Sequence, residues 1–544
     1  MTTLRDTNLQ KLAEQDYDVL IVGGGINGAV SASALAAKGA RVALIDRGDF
    51  ACETSSNSSN LAWGGIKYLE SGELLLVNKL CKSRNHLLKY YPSRVKEIRF
   101  FTTIQKGFRM PVWMVYLGTV LYWAIGRFKT RPPIYRTVKQ VAAAEPVVAT
   151  DQVAAGFEYS DCYLHDNDSR FVFNFVRDSL NHGCIAANYV ELAATERRQG
   201  LWHSSVRDVM SGATLNVRAR VLINACGPYV DLVNQQCSQQ TRHHHLFSKG
   251  VHLIVDRVTE HRRVLTFFAS DGRLFFVLPM GPRTCIGTTD TPAPTPHSEV
   301  TEDDRQFLLD NANALLNLPK PLVRSDIIAE RCGVRPLAVS GNEQQADWVQ
   351  LSRKHVVECD DDTQHISIFG GKLTDCLNVG DEIAGHVAAM GITVPYPKKR
   401  WYGEPEASVR EAFFHQASLM ELDRLTSPDA SEPLSQRLWR RYAAFAFLLL
   451  DRIREDSSKA ELLIENAEYL RCEIELAARR EMITKLEDFM RRRSKIELVV
   501  KNEQLLAAPG LQDLCHILFG EQADARLQEY LEDLRNNEHP VAAK

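Results

Sequence analysis

The sequence has no C-x-x-C pair: its 12 cysteines stand singly between Cys52 and Cys515. Such spacing offers neither a metal site nor a disulfide framework and suits a reducing cytoplasm. An excess of one charge is also missing. Lys and Arg number 65 against 68 Asp and Glu, a formal net charge of -3, which argues against nucleic-acid binding because no general field would attract the polyanion. The first sixteen residues lack the basic-then-apolar layout of a signal peptide and carry Asp6, Glu14 and Asp16, so the protein is expected to stay in the cytoplasm. No internal repeat or low-complexity linker is present. With 544 residues the chain is too long for one core, and about two or three domains are expected.

Long apolar runs are scarce as well, with one exception. Met110 to Phe128, MPVWMVYLGTVLYWAIGRF, carries no charge before Arg127 and is nearly long enough to span a bilayer. Its Trp and Tyr residues and its basic flanks at Lys106, Arg109, Arg127, Lys129 and Arg131 suit a segment dipping into a membrane interface. A buried core helix and a true span are the alternatives.

What the chain does have is a series of short apolar runs ending in glycine. DVLIV, residues 18 to 22, reads as a strand; Ile26 to Lys38 reads as an Ala-rich helix stopped at Gly39; RVALID, residues 41 to 46, reads as a second strand. At the junction of the first strand and the helix stand Gly23 and Gly25, with Gly28 in the helix's first turn, in G-x-G-x-x-G register. Gly23 allows the tight turn, Gly25 lets the backbone approach a pyrophosphate, and Gly28 lets helix and strand pack closely. The helix N-terminus offers free N–H groups to the anion. Asp46 closes the second strand, where its carboxylate can accept hydrogen bonds from ribose hydroxyls. Two further strand-like runs end in glycine turns, VLINA before Cys226-Gly227-Pro228 and HISIF before Gly370-Gly371-Lys372.

These returns to one sheet, hundreds of residues apart, predict an α/β architecture. A Rossmann-type FAD-binding domain is interleaved with an α+β substrate domain, and FAD is favoured over NAD because a nicotinamide enzyme would not need the later glycine turns. Residues 16-90, 150-245 and 355-400 are assigned to the FAD-binding domain, and 91-149 and 246-354 to the substrate domain. From about residue 401 to 544 the glycine-terminated strands give way to helical sequence such as LWRRYAAFAFLLLDRIRE, a separate helical C-terminal domain. The polar stretch ACETSSNSSN is a loop held near something polar, a phosphate being one candidate.

At this point the chain resembles the FAD-dependent glycerol-3-phosphate dehydrogenase family, the quinone-linked bacterial and mitochondrial enzymes. The likeness runs through DVLIVGGGINGA, TSSNSSNLAWGGIKYLESGE, GFEYSDC, VLINACGPYV, KGVHLIV, FFVLPMGPRTCIGTTD, GVRPL and FGGKLT, in that order, and continues into the helical tail. The resemblance implies that Thr54, Ser55, Ser56, Ser58, Ser59, Gly64, Gly65 and Gly227 line the FAD, which is expected to bind non-covalently because the glycine turn and Asp46 make a complete site and no residue supplies a clear covalent attachment signal. It also implies that Gly370, Gly371, Lys372, Leu373 and Thr374 close on the isoalloxazine ring, with a following helix aiming its positive end at the flavin. The GTTD turn, Gly287 to Asp290, is assigned to the substrate domain, as a tight turn or with a functional role.

For the substrate the resemblance implies Lys67, Tyr68, His252, Arg335, Arg353 and Lys372. Oxidising a secondary alcohol requires a base for the hydroxyl proton and a cation beside the developing alkoxide. His252 is the expected base, Arg335 and Lys372 the cations at the alkoxide, and Lys67 and Arg353 suit a phosphate dianion. The expected activity is oxidation of sn-glycerol 3-phosphate to dihydroxyacetone phosphate with electrons passed to a membrane quinone. It would take place peripherally on the cytoplasmic face of the cell membrane, and a homodimer is left open. Three positions depart from the family pattern: Trp63 for His, Lys67 for Arg, and Leu377, in Asp375-Cys376-Leu377, for a further Arg. Lys does not replace Arg at a bidentate phosphate site. A flavin oxidase or dehydrogenase acting on another hydroxy acid or amine is therefore the competing reading, and a non-catalytic flavoprotein module the third.

Overall fold

The computed structural model describes residues 3–341, 355–428, 430–465 and 467–538. The chain divides into two compact units, Leu12–Tyr402, and Gly403–Lys544 together with Met1–Lys11.

The larger unit is built on two sheets. The first has the strand order Val356–Asp360, His365–Phe369, Thr214–Asn224, Asp16–Val22, Val42–Ile45, Ile185–Ala187, and every pairing after the first is parallel. Its central strands are continuous Val, Leu and Ile because both faces are covered: Val19, Leu20, Ile21, Leu222, Ile223 and Ile366 are fully buried. Register then places the glycine turns. Val22 pairs with Asn224, and Asn224 with Ser367, so the turns at Gly23, Gly227 and Gly370 leave the sheet along one edge. The chain moves to one side of the first strand through Ile26–Ala37 and returns later on the other side. That reversal opens a crevice at the carboxyl ends of the strands.

The second sheet is ten-stranded and mostly antiparallel. Its longest ribbon pairs His243–Asp256 with Ile327–Ser340, setting His252 opposite Arg331 and Ser248 opposite Arg335. Phe101, Val251, Leu253, Leu265, Phe275, Ile286 and Leu308 form its core. Val153–Leu164, inside the stretch 150-245 assigned from sequence to the FAD-binding domain, pairs with Val95–Gln105 in this second sheet instead. Asp161, in the GFEYSDC block, is bound by Arg84 and Tyr122 in a buried network, and that lets the strand lie in the interior.

The segment 110 to 128 forms a helix, Val112–Ile125, of 14 residues, and among the described residues no helix is long and apolar enough to cross a membrane. The core-helix reading does not describe it either. Thr119 and Tyr122 are its buried residues, while Trp113, at 61% exposure, Met114, Leu117 and Leu121 face outward. Trp123 turns inward, its indole donating to Thr130 O at 2.7 Å. Tyr122 is the anchor: its hydroxyl donates to Asp161 Oδ2 at 2.6 Å, and Asp161 also takes Arg84 at 3.2 Å.

The smaller unit is helical, with Phe413, Leu438, Trp439, Tyr442 and Leu450 in its core. Glu473 is fully buried there between Arg437 and Arg441, at 3.3 and 3.0 Å.

In the larger unit Arg331 and Asp168 form a buried pair at 2.7 Å, with side chains 1% and 0% exposed. Removing one partner of such a pair leaves an uncompensated buried charge. Asp168→Asn is expected to lower unfolding stability by about 3–5 kcal/mol in urea denaturation. The double variant Asp168→Leu with Arg331→Met is expected to lose less than the sum of the two single changes.

Candidate active site

A cavity of about 470 Å³ runs along the edge where the glycine turns emerge. Of the residues singled out from sequence, Gly23, Gly25, Asp46, Thr54, Ser55, Ser58, Ser59, Tyr68, Gly227, His252, Arg335 and Gly370 to Thr374 all line it.

The first glycine turn is dictated by contact. A Cβ at Gly28 would lie 1.8 Å from Gly23 O, so glycine is required for the helix to sit against its strand. Gly25 differs: a Cβ there meets only the Ser55 hydroxyl, at 3.2 Å, on the cavity side. Ser55 accepts the Ile26 N–H at 3.0 Å, and Asp46 accepts N–H bonds from Gly24 at 2.6 Å and Gly48 at 2.9 Å. Burial pushes the Asp46 carboxyl up to about 7 against the pull of those two donors. Beyond Asp46, Arg47 lies over the Tyr229 ring, 3.8 Å from its centroid, and both line the same end of the cavity.

The serine loop is fixed from below. Ser58 donates to Asp168 through both its backbone N–H and its hydroxyl, at 2.8 and 2.7 Å; Arg331 Nε donates to Ser56 O at 3.1 Å; Thr54 donates to Val334 O at 2.6 Å. Ser56 is buried, donates to Cys52 O and Glu53 O, and points away from the cavity. The loop's polarity thus serves protein partners as well as the cavity.

His252 and Arg335 come from the two strands of the long ribbon. His252 Nε2 lies 2.9 Å from Ser59 Oγ, its Nδ1 is buried without a partner, and its pKa is held well below 6.5 by burial and by the cations Arg331 and Arg335. The imidazole is therefore neutral at physiological pH. Arg335 is spread on the GTTD turn, with Nη2 on Thr288 Oγ1 at 2.9 Å and Nη1 on Asp290 Oδ1 at 3.2 Å. It passes so close to Gly250 that a Cβ there would lie 2.1 Å from Nη2. The turn thus has a visible task, which is to aim Arg335. Lys372 Nζ donates to the Tyr68 hydroxyl at 2.7 Å, and Trp63 closes the wall beside Tyr68, ring centroids 6.4 Å apart.

Several sequence expectations fall elsewhere. Gly64 gives its N–H to Asp161 at 3.1 Å, and a Cβ would strike the Tyr122 hydroxyl at 2.2 Å; its smallness serves packing. Gly65, with φ at +81°, starts the turn Ile66–Leu69 that carries Lys67 and Tyr68, and Lys67 is not among the cavity-lining residues. Arg353 lies outside the described residues. The helix after the third glycine turn exists as Cys376–Ala389, but its positive end is already matched. Asp375 sits at its N-cap, bound by Ser83, Lys79 and His355 at 2.7, 3.0 and 3.0 Å, with its pKa drawn down to about 2. Leu377 is buried in that helix. Sequence reasoning missed Asn27, whose Nδ2 donates to Gly370 O at 3.0 Å and ties the first glycine turn to the third.

The sequence profile of the FAD dependent oxidoreductase family matches residues 18–358, and that of the C-terminal domain of alpha-glycerophosphate oxidase matches residues 362–525. A glycerol-3-phosphate dehydrogenase of Pseudomonas aeruginosa is 30% identical over 502 residues, which cover 90% of this chain and 93% of that protein. The chain belongs to the FAD-dependent glycerol-3-phosphate dehydrogenase family. The aerobic glycerol-3-phosphate dehydrogenase of Escherichia coli K12 is 29% identical over 499 residues, 88% of this chain and 93% of its own. The structure of a Bacillus halodurans glycerol-3-phosphate dehydrogenase complexed with FAD superposes with a TM-score of 0.74 at 23% identity, over 99% of this chain and 98% of that one, which establishes the shared fold.

The cavity suits the family's cofactor. Gly25 keeps its wall free of a side chain at the helix N-terminus, and Asp46 stands at the end of the second strand where a ribose is held in this fold. Gly25→Val fills that wall without touching backbone, so the purified variant is expected to fold yet lack flavin absorbance. A full flavin spectrum would place the cofactor elsewhere.

Proposed function

We propose that this member of the glycerol-3-phosphate dehydrogenase family binds FAD non-covalently in the cavity and oxidises sn-glycerol 3-phosphate to dihydroxyacetone phosphate, electrons leaving for a membrane quinone. The observation that carries the reading is convergence: Tyr68, His252, Arg335 and Lys372, from four separate segments, line one cavity with the three glycine turns. FAD, when bound, supplies the acceptor for the hydride.

The chain's own side chains supply the rest. Neutral His252 takes the hydroxyl proton on Nε2, the nitrogen that already faces Ser59. Arg335, held by Thr288 and Asp290, offers a fixed positive charge to the developing alkoxide and loses no orientation in doing so. Lys372, steadied by the Tyr68 hydroxyl, adds a second cation at the same wall. Trp63 and Phe276, also in the lining, exclude water from that end.

The outward face of Val112–Ile125 supports membrane association. Trp113, Met114, Leu117 and Leu121 form an exposed apolar strip, with Arg127 and Lys129 exposed at its end. Aromatic and aliphatic side chains enter the interface while basic flanks meet anionic headgroups, each worth about 1 kcal/mol when well placed.

A second reading, oxidation of another hydroxy acid or amine, is favoured by one observation. Trp63 occupies the wall where the family pattern has His, while Lys67 is absent from the lining. Anaerobic mixing with glycerol 3-phosphate separates the two: bleaching of the flavin supports the first, and bleaching by another alcohol or amine alone supports the second.

With glycerol 3-phosphate, His252→Ala is expected to lower kcat/KM by about 10²–10⁴-fold and Lys372→Ala by roughly ten- to a hundredfold. Because the His252 pKa is depressed, the imidazole stays neutral as pH falls through 6.5, so the acid limb of the kcat/KM profile is expected below that value. A limb centred above 6.5 would remove His252 as the base. Trp113→Ser with Leu117→Ser is expected to reduce liposome binding and quinone reduction while flavin bleaching persists. Unchanged liposome binding would refute the membrane assignment of this helix.

A further inference from the structure

The third glycine turn is gripped from two sides. Asn27 holds the Gly370 carbonyl, and on the other side the Gly370 N–H donates to His245 Nε2 at 3.0 Å. The His245 side chain has no exposure to solvent and packs against Phe369 and Phe247, ring centroids 5.2 and 6.2 Å away. An imidazole nitrogen accepts a hydrogen bond only when it carries no proton, so His245 here bears its proton on Nδ1. Asp231 Oδ2 lies 3.3 Å from that Nδ1, close enough for charge attraction though poorly aligned as a hydrogen bond, and it also accepts the backbone N–H of His245 at 3.0 Å. Asp231 stands in the first turn of Val230–Gln236, the helix that follows the Gly227 turn. A chain of contacts thus runs from the helix behind the second glycine turn, through a buried imidazole, to the backbone of the third.

We propose that Asp231 and His245 are a positioning pair for the flavin-facing turn Gly370–Lys372. Asp231 selects the His245 tautomer, and His245 fixes the Gly370 peptide so that Lys372 is presented to the cavity. Neither touches substrate; both act through Gly370. This rests on the cofactor assignment above. The polar groups around His245 are Asp231 from the helix, His243 and His244 on the same strand, and Glu358, which is paired with His243 at 2.5 Å from the strand Val356–Asp360.

The test uses purified holoenzyme of the parent, His245→Leu and His245→Gln, whose amide oxygen restores an acceptor near the Nε2 position. Deuterium exchange of the peptide containing Gly370 and the rate of FAD release are followed at one fixed pH. His245→Leu is expected to raise both rates about tenfold or more, and His245→Gln to return them close to parent values. Asp231→Asn, which removes the charge beside Nδ1, is expected to raise both rates by a smaller factor. Parent-like exchange in His245→Leu overturns the proposal. Should that variant fail to fold, parent-like rates in Asp231→Asn overturn it instead. Deuterium exchange needs neither substrate nor flavin, so it tests the His245 contact even if the glycerol 3-phosphate reading or the cofactor assignment fails.

Discussion

The buried contact between Arg331 and Asp168 is the constraint on which the site depends. Arg331 lies on the long antiparallel ribbon opposite His252, and Asp168 begins the helix Asp168–Asn181 that packs on the helix of the first glycine turn. Between them they hold the serine loop by Ser56 and Ser58. A charge pair taken out of water does not stabilise strongly by itself, since desolvation offsets much of the attraction. Its value here is geometric. The pair ties helix, loop and ribbon together at one point beside the crevice.

Around that crevice, polar groups divide into those that bind the protein and those left for a ligand. Arg335 is committed to Thr288 and Asp290, yet its guanidinium still lines the cavity, which is how a preorganised cation differs from a flexible one. Lys372 rests on Tyr68, while the imidazole of His252 is kept neutral by burial and by two neighbouring guanidiniums. Cations that would be costly to gather around a charged histidine can gather around a neutral one. The same Arg335 that lines the cavity therefore also helps keep His252 deprotonated.

How much of this is legible in the sequence follows from the range of the interactions. The glycine fingerprint is local: strand, turn and helix occupy consecutive residues, and the observed Asp16–Val22 and Ile26–Ala37 lie within two residues of the reading. His252, Arg335 and Lys372 can be named because they sit in blocks that resemble a family, and the structure places all three on one cavity. Asn27 is invisible because its partner, Gly370, is 343 residues away, and Asp168 because its contact with Ser58 spans 110. Gly64 reads as a cofactor contact, but the crowding by Tyr122 that demands glycine comes from another helix. Leu377 reads as the loss of a family Arg, and nothing in the sequence marks Asp375 as an N-cap. Only the packed helix shows that an acid at its N-cap meets the positive end that sequence reasoning leaves for the flavin.

The helix Val112–Ile125 is fastened from its inner side. Tyr122 is locked to Asp161, and Val112, Val115 and Tyr116 pack on Ile104, Ala155 and Phe157, whereas the outward residues Trp113, Met114, Leu117 and Leu121 are absent from the cavity lining. The two sides can therefore diverge at different rates. Outer side chains are free to be exchanged as the composition of the surrounding surface changes, while a change at Tyr122 would reach Gly64 through Asp161. Such a helix behaves as an interchangeable fitting on a fixed mount, and related chains with identical interiors could be retargeted to chemically different surfaces by rewriting a handful of codons.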